Sequence, residues 1–435
     1  MKALIRKVIF IILTIEAKIV LLRYRPKIIV VSGTVGKTTT KDAIFSALSK
    51  TFHVRKNSKS LNSEIGVPLT ILGLETGWNN PWRWLSNLVI GFLEIIYYPK
   101  YPEWLVIEVG IDHPGDMKKT ASWLKPNVAV LTAFGQVPVH VEFFEGPDDV
   151  TKEEADIINY LRRDGIIVLN ADDEKALRLK GKTNHKVYTF GKGENADLVA
   201  SHYSVVYESV NGRPVPRGVS FKVSYLGSIL PISVRNVVGD QFVYPILAAL
   251  SVGVAVNSSL VSSLEGLRNF KAPKGRMNLL AGENETIIID DSYNSSPMAA
   301  TSAIRNLAEI ETAGSRIAVL GDMAEIGRFS ASEHRKIGAL IKQKKIDILI
   351  TVGRASELMN EQAIEEGMAQ SRNYHFSHSE EAIATVKRYL KPGNIILVKG
   401  SQSMRMERIT KAIILEKDSA SDLIVRQEKE WLARS

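Results

Sequence analysis

The sequence predicts an α/β protein with two mostly parallel sheets, each covered by helices. Apolar strand-like runs alternate with helical patterns from Lys27 onward, and a second such series begins after residue 274. This alternation is typical of βα units, which bind ligands at the carboxyl ends of their strands. At 435 residues the chain is also too long for one compact core. We therefore predict a central domain at 28–273 and a Rossmann-like C-terminal α/β domain at 274–435.

The strands of the central domain are predicted from short apolar runs. After these strands, residues 186–238 have β-rich runs around the turn signal NGRP, which predict a small antiparallel patch. A helix at about 241–254 is predicted to follow. The last twenty residues predict a terminal helix. The predicted parallel strands are 27–33, 104–110, 127–133 and 165–172, then TIIIDD, SRIAVLGD, IDILITVG and NIILVKG in the C-terminal domain.

Composition narrows the choice of partners. A net charge of +9 suits an anionic membrane surface, a polyanionic substrate or nucleic acid, although a generally lysine-rich composition explains it equally well. We expect no nucleic-acid partner and a monomer. The chain has no Cys, which excludes disulfides, thiolate metal sites and a Cys nucleophile, and is compatible with the cytoplasm.

Two segments have unusual apolar patterns. Residues 1–27 predict an amphipathic helix whose stripe is Leu4, Val8, Ile11, Ile12, Ile15, Ile19 and Leu22. Residues 76–104 form an aromatic-rich insertion with an apolar helix interrupted by Glu94. Two interpretations stay open: both helices contact the inner face of a membrane without spanning it, or they pack together on the domain behind them.

The stretch GTVGKTTT, which follows the first strand and opens a helix, predicts a phosphate loop. Its glycines allow backbone N–H groups to face a phosphate, Lys37 neutralises the β- and γ-phosphates, and Thr38 offers a hydroxyl to Mg²⁺. No guanine-reading NKxD tetrapeptide occurs, which favours ATP over GTP. The predicted nucleotide-binding residues here are Gly33, Thr34, Val35, Gly36, Lys37, Thr38 and Thr39.

With this loop, six further segments resemble the Mur ligases, ATP-dependent amide-forming enzymes of peptidoglycan precursor synthesis. They are LNSEIGVPLT (61–70), VIEVGIDHPGDM (106–117), VHVEFF (139–144), IIIDDSYNSSPMA (287–299), VLGDMAEIG (319–327) and ILVKGSQSMRME (396–407). DDSYN, GDMAEIG and VKGS indicate the branch that adds D-alanyl-D-alanine. The resemblance implies a P-loop ATPase central domain, ATP and Mg²⁺, a muramoyl-peptide acceptor and a D-Ala-D-Ala dipeptide as substrates.

The resemblance also suggests roles for individual residues. Lys37, Glu108 and His140 are candidate catalytic residues, with Thr38, Glu108 and His140 as Mg²⁺ ligands. Gln241, Arg276 and Asp291 would bind nucleotide, although the adenine stretch around Gln241 departs from the family pattern. Candidate substrate-binding residues are Asn62, Asn294, Lys399 and Ser401.

Glu154 marks another departure. Family members carry a carbamylated lysine after the His, and an ungapped alignment places Glu154 there. We predict that its carboxylate replaces the carbamate as a fourth catalytic residue, so that activity does not need bicarbonate. A solvated helix residue is the alternative.

The phosphate loop begins at Gly33, with little more than one helix before it, so we expect the uridine-binding domain usual in the family to be lacking, which leaves the acceptor open. We expect a cytoplasmic ligase that adds D-Ala-D-Ala to a UDP-muramoyl-tripeptide. The alternatives are a ligase acting on a non-UDP or lipid-linked carboxylate, and a non-catalytic ATP-binding partner in wall synthesis. A folylpolyglutamate-synthase-like activity shares the chemistry, but GDMAEIG and VKGSQSM favour the first interpretation.

Overall fold

Two sheets organise the chain, as described for residues 2–58, 61–98 and 100–433 of a computed structural model, with side chains from residue 7 onward. The larger has the order β2-β3-β1-β4-β5-β6-β7-β8-β9 and the smaller β10-β11-β15-β12-β13-β14. The strands are β1 Lys27–Ser32, β2 Val54–Lys56, β3 Trp104–Glu108, β4 Val128–Leu131, β5 Ile166–Asn170, β6 Lys186–Gly191, β7 Leu198–Val210, β8 Arg213–Tyr225, β9 Ser228–Arg235, β10 Asn278–Ala281, β11 Ile287–Asp291, β12 Arg316–Gly321, β13 Ile348–Val352, β14 Asn373–Phe376 and β15 Ile395–Lys399.

Helices flank both sheets. The α-helices are α1 Lys2–Tyr24, α2 Lys37–Leu48, α3 Gly66–Ile71, α4 Pro81–Ile96, α5 Asp116–Ala121, α6 Pro147–Ala155, α7 Glu174–Leu177, α8 Val243–Ala255, α9 Leu260–Leu267, α10 Pro297–Glu309, α11 Ser330–Gln343, α12 Glu357–Glu365, α13 Ser379–Lys387, α14 Glu407–Ile413, α15 Ala420–Leu423 and α16 Lys429–Leu432. Short 3-10 turns lie at Val141–Phe143, Asp156–Tyr160, Arg178–Lys182, Asp240–Phe242, Glu283–Glu285, Gly327–Phe329, Gln370–Arg372, Gln402–Met404 and Lys417–Ser419.

The predicted fold class is confirmed, with two local corrections. Strands β7, β8 and β9 are antiparallel as predicted, but they extend the large sheet, and β6 at the start of that region pairs in parallel with β5. The predicted terminal helix is wrong. Up to residue 433, the last twenty residues form the 3-10 turn Lys417–Ser419 and the short helices α15 and α16, and the backbone between α15 and α16 is extended at Ile424 and Glu428.

Helices α1 and α4 lie side by side and run in the same direction. The Tyr24 hydroxyl near the end of α1 donates to the carbonyl of Glu94, 2.9 Å away near the end of α4. The apolar interior side of α1 is Leu13, Ala17 and Val20, all fully buried. The two helices therefore pack together, and α4 continues through Glu94 without a break.

The predicted stripe of α1 faces outward rather than inward. Its described members are exposed, and Leu4 lies outside the described side chains; Pro99 of the insertion is likewise outside the described residues. A second apolar stripe on α4 is exposed as well. The exposed side chains are Val8, Ile11, Ile12, Ile15, Ile19 and Leu22 on α1, and Trp82, Leu85, Val89, Ile90, Phe92, Leu93 and Ile96 on α4. We call this set the outer apolar face.

Within the described residues, no helix combines the length and the apolarity required to cross a bilayer.

The α1–α4 pair also encloses a carboxylate. Glu16 is only 7% exposed, and its Oε2 accepts no hydrogen bond among the described residues. Burial raises the pKa of Glu16 to about 7.

This pKa predicts how pH affects the docking of α1. The folded state binds the Glu16 proton more tightly than the unfolded chain does. Protonation of Glu16 therefore stabilises the fold fully below the ordinary glutamate pKa of 4.5, and this stabilisation is lost as pH rises through about 7. We expect Glu16→Gln to melt roughly 2–4 °C above the wild type at pH 8 and close to it at pH 5. Thermal unfolding of both proteins across this range checks the expectation, with Glu174→Gln as the exposed control. An equal difference at both pH values would contradict it.

Candidate functional site

The predicted phosphate loop lies between the end of β1 at Ser32 and the start of α2 at Lys37. Gly33 and Gly36 have φ angles of +121° and +87°, a region that favours glycine. No side chain caps the start of α2. The N–H groups of its first turn, together with the positive end of the helix dipole, are therefore directed at an anion site.

The other end of the loop is tied to the neighbouring strand. The N–H groups of Thr34 and Val35 both donate to the carbonyl of Ala133, at 2.8 and 3.2 Å. These two predicted nucleotide-binding residues therefore anchor the loop through their amides. The amides at the start of α2, from Lys37 to Thr39, remain to hold a phosphate.

The Glu154 carboxylate contacts the loop at three residues. Glu154, a residue of α6, is 2% exposed, and its carboxylate accepts hydrogen bonds from the Ser32 hydroxyl and from the Gly33 N–H, 2.8 Å away. Its Oε1 lies 3.2 Å from Lys37 Nζ. The solvated alternative is thus wrong, and the carboxylate compensates the charge of the loop lysine.

Glu108 ends β3 beside the loop. Its Oε1 accepts hydrogen bonds from Thr38 Oγ1 and from Asn62 Nδ2, both at 3.1 Å. Its Oε2 is buried, accepts no hydrogen bond among the described residues, and lies 3.8 Å from Lys41 Nζ. Burial lowers the pKa of Lys41, and the nearby Glu108 opposes that shift.

These oxygens fit a magnesium ion. Mg²⁺ prefers carboxylate and hydroxyl oxygens and is usually held by one or two protein groups beside the phosphates. The buried Glu108 Oε2 accepts no hydrogen bond among the described residues, and the Thr38 hydroxyl is adjacent to the same carboxylate. Thr38 and Glu108 would therefore hold the ion.

Arg276 reaches the loop from the segment that precedes β10. Its Nη2 donates to Thr38 Oγ1 at 3.0 Å, and its guanidinium lies 4.3 Å from the centroid of the Tyr293 ring. Its Nε is buried and has no hydrogen-bond partner among the described residues. A guanidinium held in this way is well suited to a phosphate oxygen.

His140 contacts two carboxylates. Its Nδ1 is 2.7 Å from Glu325 Oε2 and its Nε2 is 3.5 Å from Asp112 Oδ1. Glu325 belongs to the smaller sheet's loop after β12, so this contact joins the two halves of the molecule. In the described part of the chain, no bond joins His140 to Glu154, and no group of three metal-ligating side chains occurs. The second-metal role of His140 stays a prediction.

The remaining C-terminal candidates cluster at the carboxyl ends of β11 and β15. Lys399 and Asp291 form a buried ion pair at 2.7 Å, and Lys399 also donates to the carbonyl of Asn294. Burial raises the pKa of Asp291, while Lys399 counteracts it. Ser401 Oγ accepts from the N–H of Ala324 at 2.8 Å. The Asn294 side chain is exposed, so a substrate can reach it.

Gln241 lies apart from this cluster, in the turn before α8. Its Oε1 accepts from Asn306 Nδ2 at 2.9 Å and its Nε2 donates to the carbonyl of Val238. Its amide is thus already hydrogen-bonded within the protein. An adenine contact by Gln241 stays a prediction.

Three contacting residues were not predicted from the sequence. Lys41 lies one helical turn after Lys37, a spacing that places both on one side of α2. Asp112 and Glu325 lie inside the segments GIDHPG and GDMAEIG, but their pairing with His140 depends on the arrangement of the two sheets. Lys41 could have been found from spacing, and the other two could not.

A cleft of about 1630 Å³ opens from this site. Its inner end is lined by Thr38, Asp42 and Arg276. The walls farther out are the α1–α4 pair on one side and the C-terminal segment 421–431 on the other. Trp78 and Trp431, which both line the cleft, meet edge to face with ring centroids 6.0 Å apart.

The arrangement is that of a nucleotide-dependent phosphoryl-transfer site, and family comparisons agree with it. Residues 31–253 match the Mur ligase middle domain, and residues 275–402 match the Mur ligase glutamate ligase domain.

Individual relatives give the same result. The UDP-N-acetylmuramoyl-tripeptide--D-alanyl-D-alanine ligase of Bacillus subtilis is 27% identical over 92% of this chain and 78% of its own length. Among solved structures, MurF from Acinetobacter baumannii is similar with a TM-score of 0.75 and 22% identity over 92% of this chain and 79% of its own. MurF from Thermotoga maritima in complex with ADP has a TM-score of 0.74 and 23% identity over 93% and 83% of the two chains.

The position of Glu154 predicts its effect on nucleotide binding. Its carboxylate is a buried negative charge beside the lysine that would meet the phosphates. We expect Glu154→Gln to tighten the binding of metal-free ATP by roughly threefold to tenfold, because one repulsive charge is removed. Isothermal titration checks this, with Glu174→Gln as the surface control. Weaker binding would mean that Glu154 acts mainly by shaping the loop through Ser32 and Gly33.

Proposed function

The chain belongs to the Mur ligase family, and we propose that it is an ATP-dependent, ADP-forming ligase that joins D-alanyl-D-alanine to the carboxylate of a UDP-muramoyl-tripeptide. The activity for which its Bacillus subtilis and Escherichia coli relatives are named supports this choice of substrates. The observation that carries the proposal is that Glu108 and Arg276 both contact Thr38, next to Lys37 at the start of α2. This activity belongs to peptidoglycan precursor synthesis.

The chemistry requires an activated acyl group. A carboxylate oxygen of the acceptor attacks the γ-phosphorus of ATP, the bond from that phosphorus to the β–γ bridging oxygen breaks, and ADP leaves. The amine then attacks the acyl carbon of the acyl phosphate, inorganic phosphate leaves, and the nitrogen loses a proton. No protein nucleophile is needed, so the protein contributes position and charge.

The proposed roles follow from the contacts. Lys37 and Arg276 meet the phosphates, and the amides at the start of α2 hold them. Mg²⁺, when bound, neutralises charge on the phosphate oxygens, and Thr38 and Glu108 would hold it. Asn62 already contacts Glu108 and lies on the acceptor side, as the resemblance suggests.

The C-terminal half would bring the amine. Asn294, Lys399 and Ser401 lie together at the ends of β11 and β15, where α/β sheets bind ligands. The contact between His140 and Glu325 supports an arrangement in which the two halves close over the nucleotide. A non-catalytic scaffold is the less favoured proposal, because it gives no reason for the half-buried Lys37 and the buried Glu108 and Glu154 to lie together at the loop.

We also propose a monomeric cytoplasmic enzyme that contacts the membrane surface through the outer apolar face. Its side chains are apolar on both helices, and Arg23, Arg25 and Lys27 are exposed at the end of α1. Exposed apolar stripes of this extent are uncommon on soluble monomers, and basic flanks favour anionic lipids.

The ligase proposal predicts ADP release that needs both substrates. Purified protein with Mg²⁺, ATP, UDP-muramoyl-tripeptide and D-Ala-D-Ala should release ADP, and omission of either substrate should abolish release. Lys37→Ala should lower the rate by about 100-fold or more, because its charge stabilises the transferred phosphoryl group. Lys152→Ala, whose side chain is 77% exposed, should not. ATP binding without ADP release would contradict the choice of acceptor.

The membrane proposal predicts binding to anionic vesicles. Leu93→Asp should lower the bound fraction on phosphatidylglycerol vesicles at low salt by roughly tenfold. A leucine side chain that becomes buried in the membrane contributes about 1.5–3 kcal/mol to the free energy of binding. Leu226→Asp is the matched control, since Leu226 is 86% exposed but lies in the turn between β8 and β9. Equal binding by the two variants would contradict a contact through the outer apolar face.

A further inference from the structure

The cleft described above joins two chemically different surfaces. Its inner end is lined by Thr38, by the Arg276 guanidinium and by Asp42, whose carboxylate is paired with Lys56 at 2.8 Å. Its outer walls include Phe10 of α1 and Leu88 of α4. One end therefore suits an anionic group and the other an apolar one. A single ligand that fills the cleft would carry both.

The cleft also continues onto the outer apolar face. Leu85 lines the cleft and is itself 52% exposed as a member of that face. A chain that leaves the cleft past Leu85 therefore meets further apolar side chains of α4 instead of polar surface. This continuity connects the phosphate loop to the surface proposed to contact lipid.

The size of the cleft points to a long ligand. Its volume of about 1630 Å³ exceeds the roughly 300–1,000 Å³ usual for small-molecule pockets. The wall formed by the α1–α4 pair is mainly apolar, whereas segment 421–431 contributes Arg426, Gln427 and Glu428 on the opposite side. Aliphatic chains need only apolar walls, because their burial is favourable and non-directional.

We propose that this cleft binds the aliphatic tail of a second form of the acceptor, in which the muramoyl peptide is linked to a polyprenyl-type lipid. The acceptor carboxylate lies at the phosphate loop and the tail runs between the α1–α4 pair and segment 421–431 toward the membrane. This inference rests on the proposed ligase function and uses the same bond changes. A free lipid that regulates the enzyme, and a second copy of the chain, are the competing occupants.

A binding experiment tests the tail site. Farnesyl phosphate is titrated into the full-length protein, with inorganic phosphate as the control, and the fluorescence of Trp78, Trp84 and Trp431, which line the cleft, is followed. We expect saturable quenching that Leu85→Asp weakens about tenfold, as expected for loss of an apolar contact. Leu93→Asp, on the same helix, similarly exposed but outside the cleft lining, should bind like the wild type.

Two results of this titration would overturn the tail site. One is the absence of saturable binding to the wild type, and the other is equal weakening by Leu85→Asp and Leu93→Asp. Unchanged ATP affinity confirms that Leu85→Asp is folded, and Leu85→Gln is a milder second variant. Light scattering during the titration identifies self-association, which would favour a second copy.

An activity experiment separates a substrate from a regulator. ADP release is compared with two acceptors that share the muramoyl-tripeptide, one UDP-linked and one farnesyl-diphosphate-linked. We expect the tailed acceptor to be used, with a KM that Leu85→Asp raises about tenfold while leaving the KM of the UDP-linked acceptor unchanged. Use of the UDP-linked acceptor alone would overturn the inference and leave the ligase function intact. If neither acceptor supports ADP release, both proposals are overturned, whatever the titration shows.

Discussion

The site depends on pairing buried charges before any nucleotide arrives. Lys37 is compensated by Glu154, and Lys41 by Asp42, by Glu108 and by the carbonyl of Asn57. A buried cation without a partner costs several kcal/mol, and two of these carboxylates, Glu154 and Glu108, lie on elements other than α2. These carboxylates come from α6 and from the end of β3, which brings elements distant in sequence together around the loop. The parallel order of β3, β1 and β4 is what places them there.

Sequence patterns predicted the parts of the site that depend on short-range structure. The phosphate loop follows from glycines between a strand and a helix, and Glu108 follows from its place at the end of a buried apolar run. The partners of Glu154 and His140 could not be predicted in the same way. Glu154 contacts a residue 117 positions earlier, and Glu325 contacts His140 across the two halves of the chain. Such pairs depend on how the sheets pack, which local periodicity does not encode.

The N-terminal helix shows another limit of periodicity. The sequence identified an apolar stripe correctly, but α1 buries the neighbouring face of Leu13, Ala17 and Val20. A pattern of apolar residues gives their spacing around a helix and not the side that will be covered. Small residues determine which side of α1 is covered, because Gly91 leaves room for the Glu16 side chain of α1 beside α4. Close approach of the two helices buries this face and leaves the predicted stripe outside.

The hydrogen bond from Arg276 to Thr38 also has a consequence for the order of synthesis. The large sheet ends with β9 at Arg235, so a nascent chain can complete that sheet and its phosphate loop before Arg276 has left the ribosome. Until then the loop lacks the guanidinium that reaches it from the second half. The growing polypeptide thus holds an anion-binding loop whose full set of cations is assembled only late in translation.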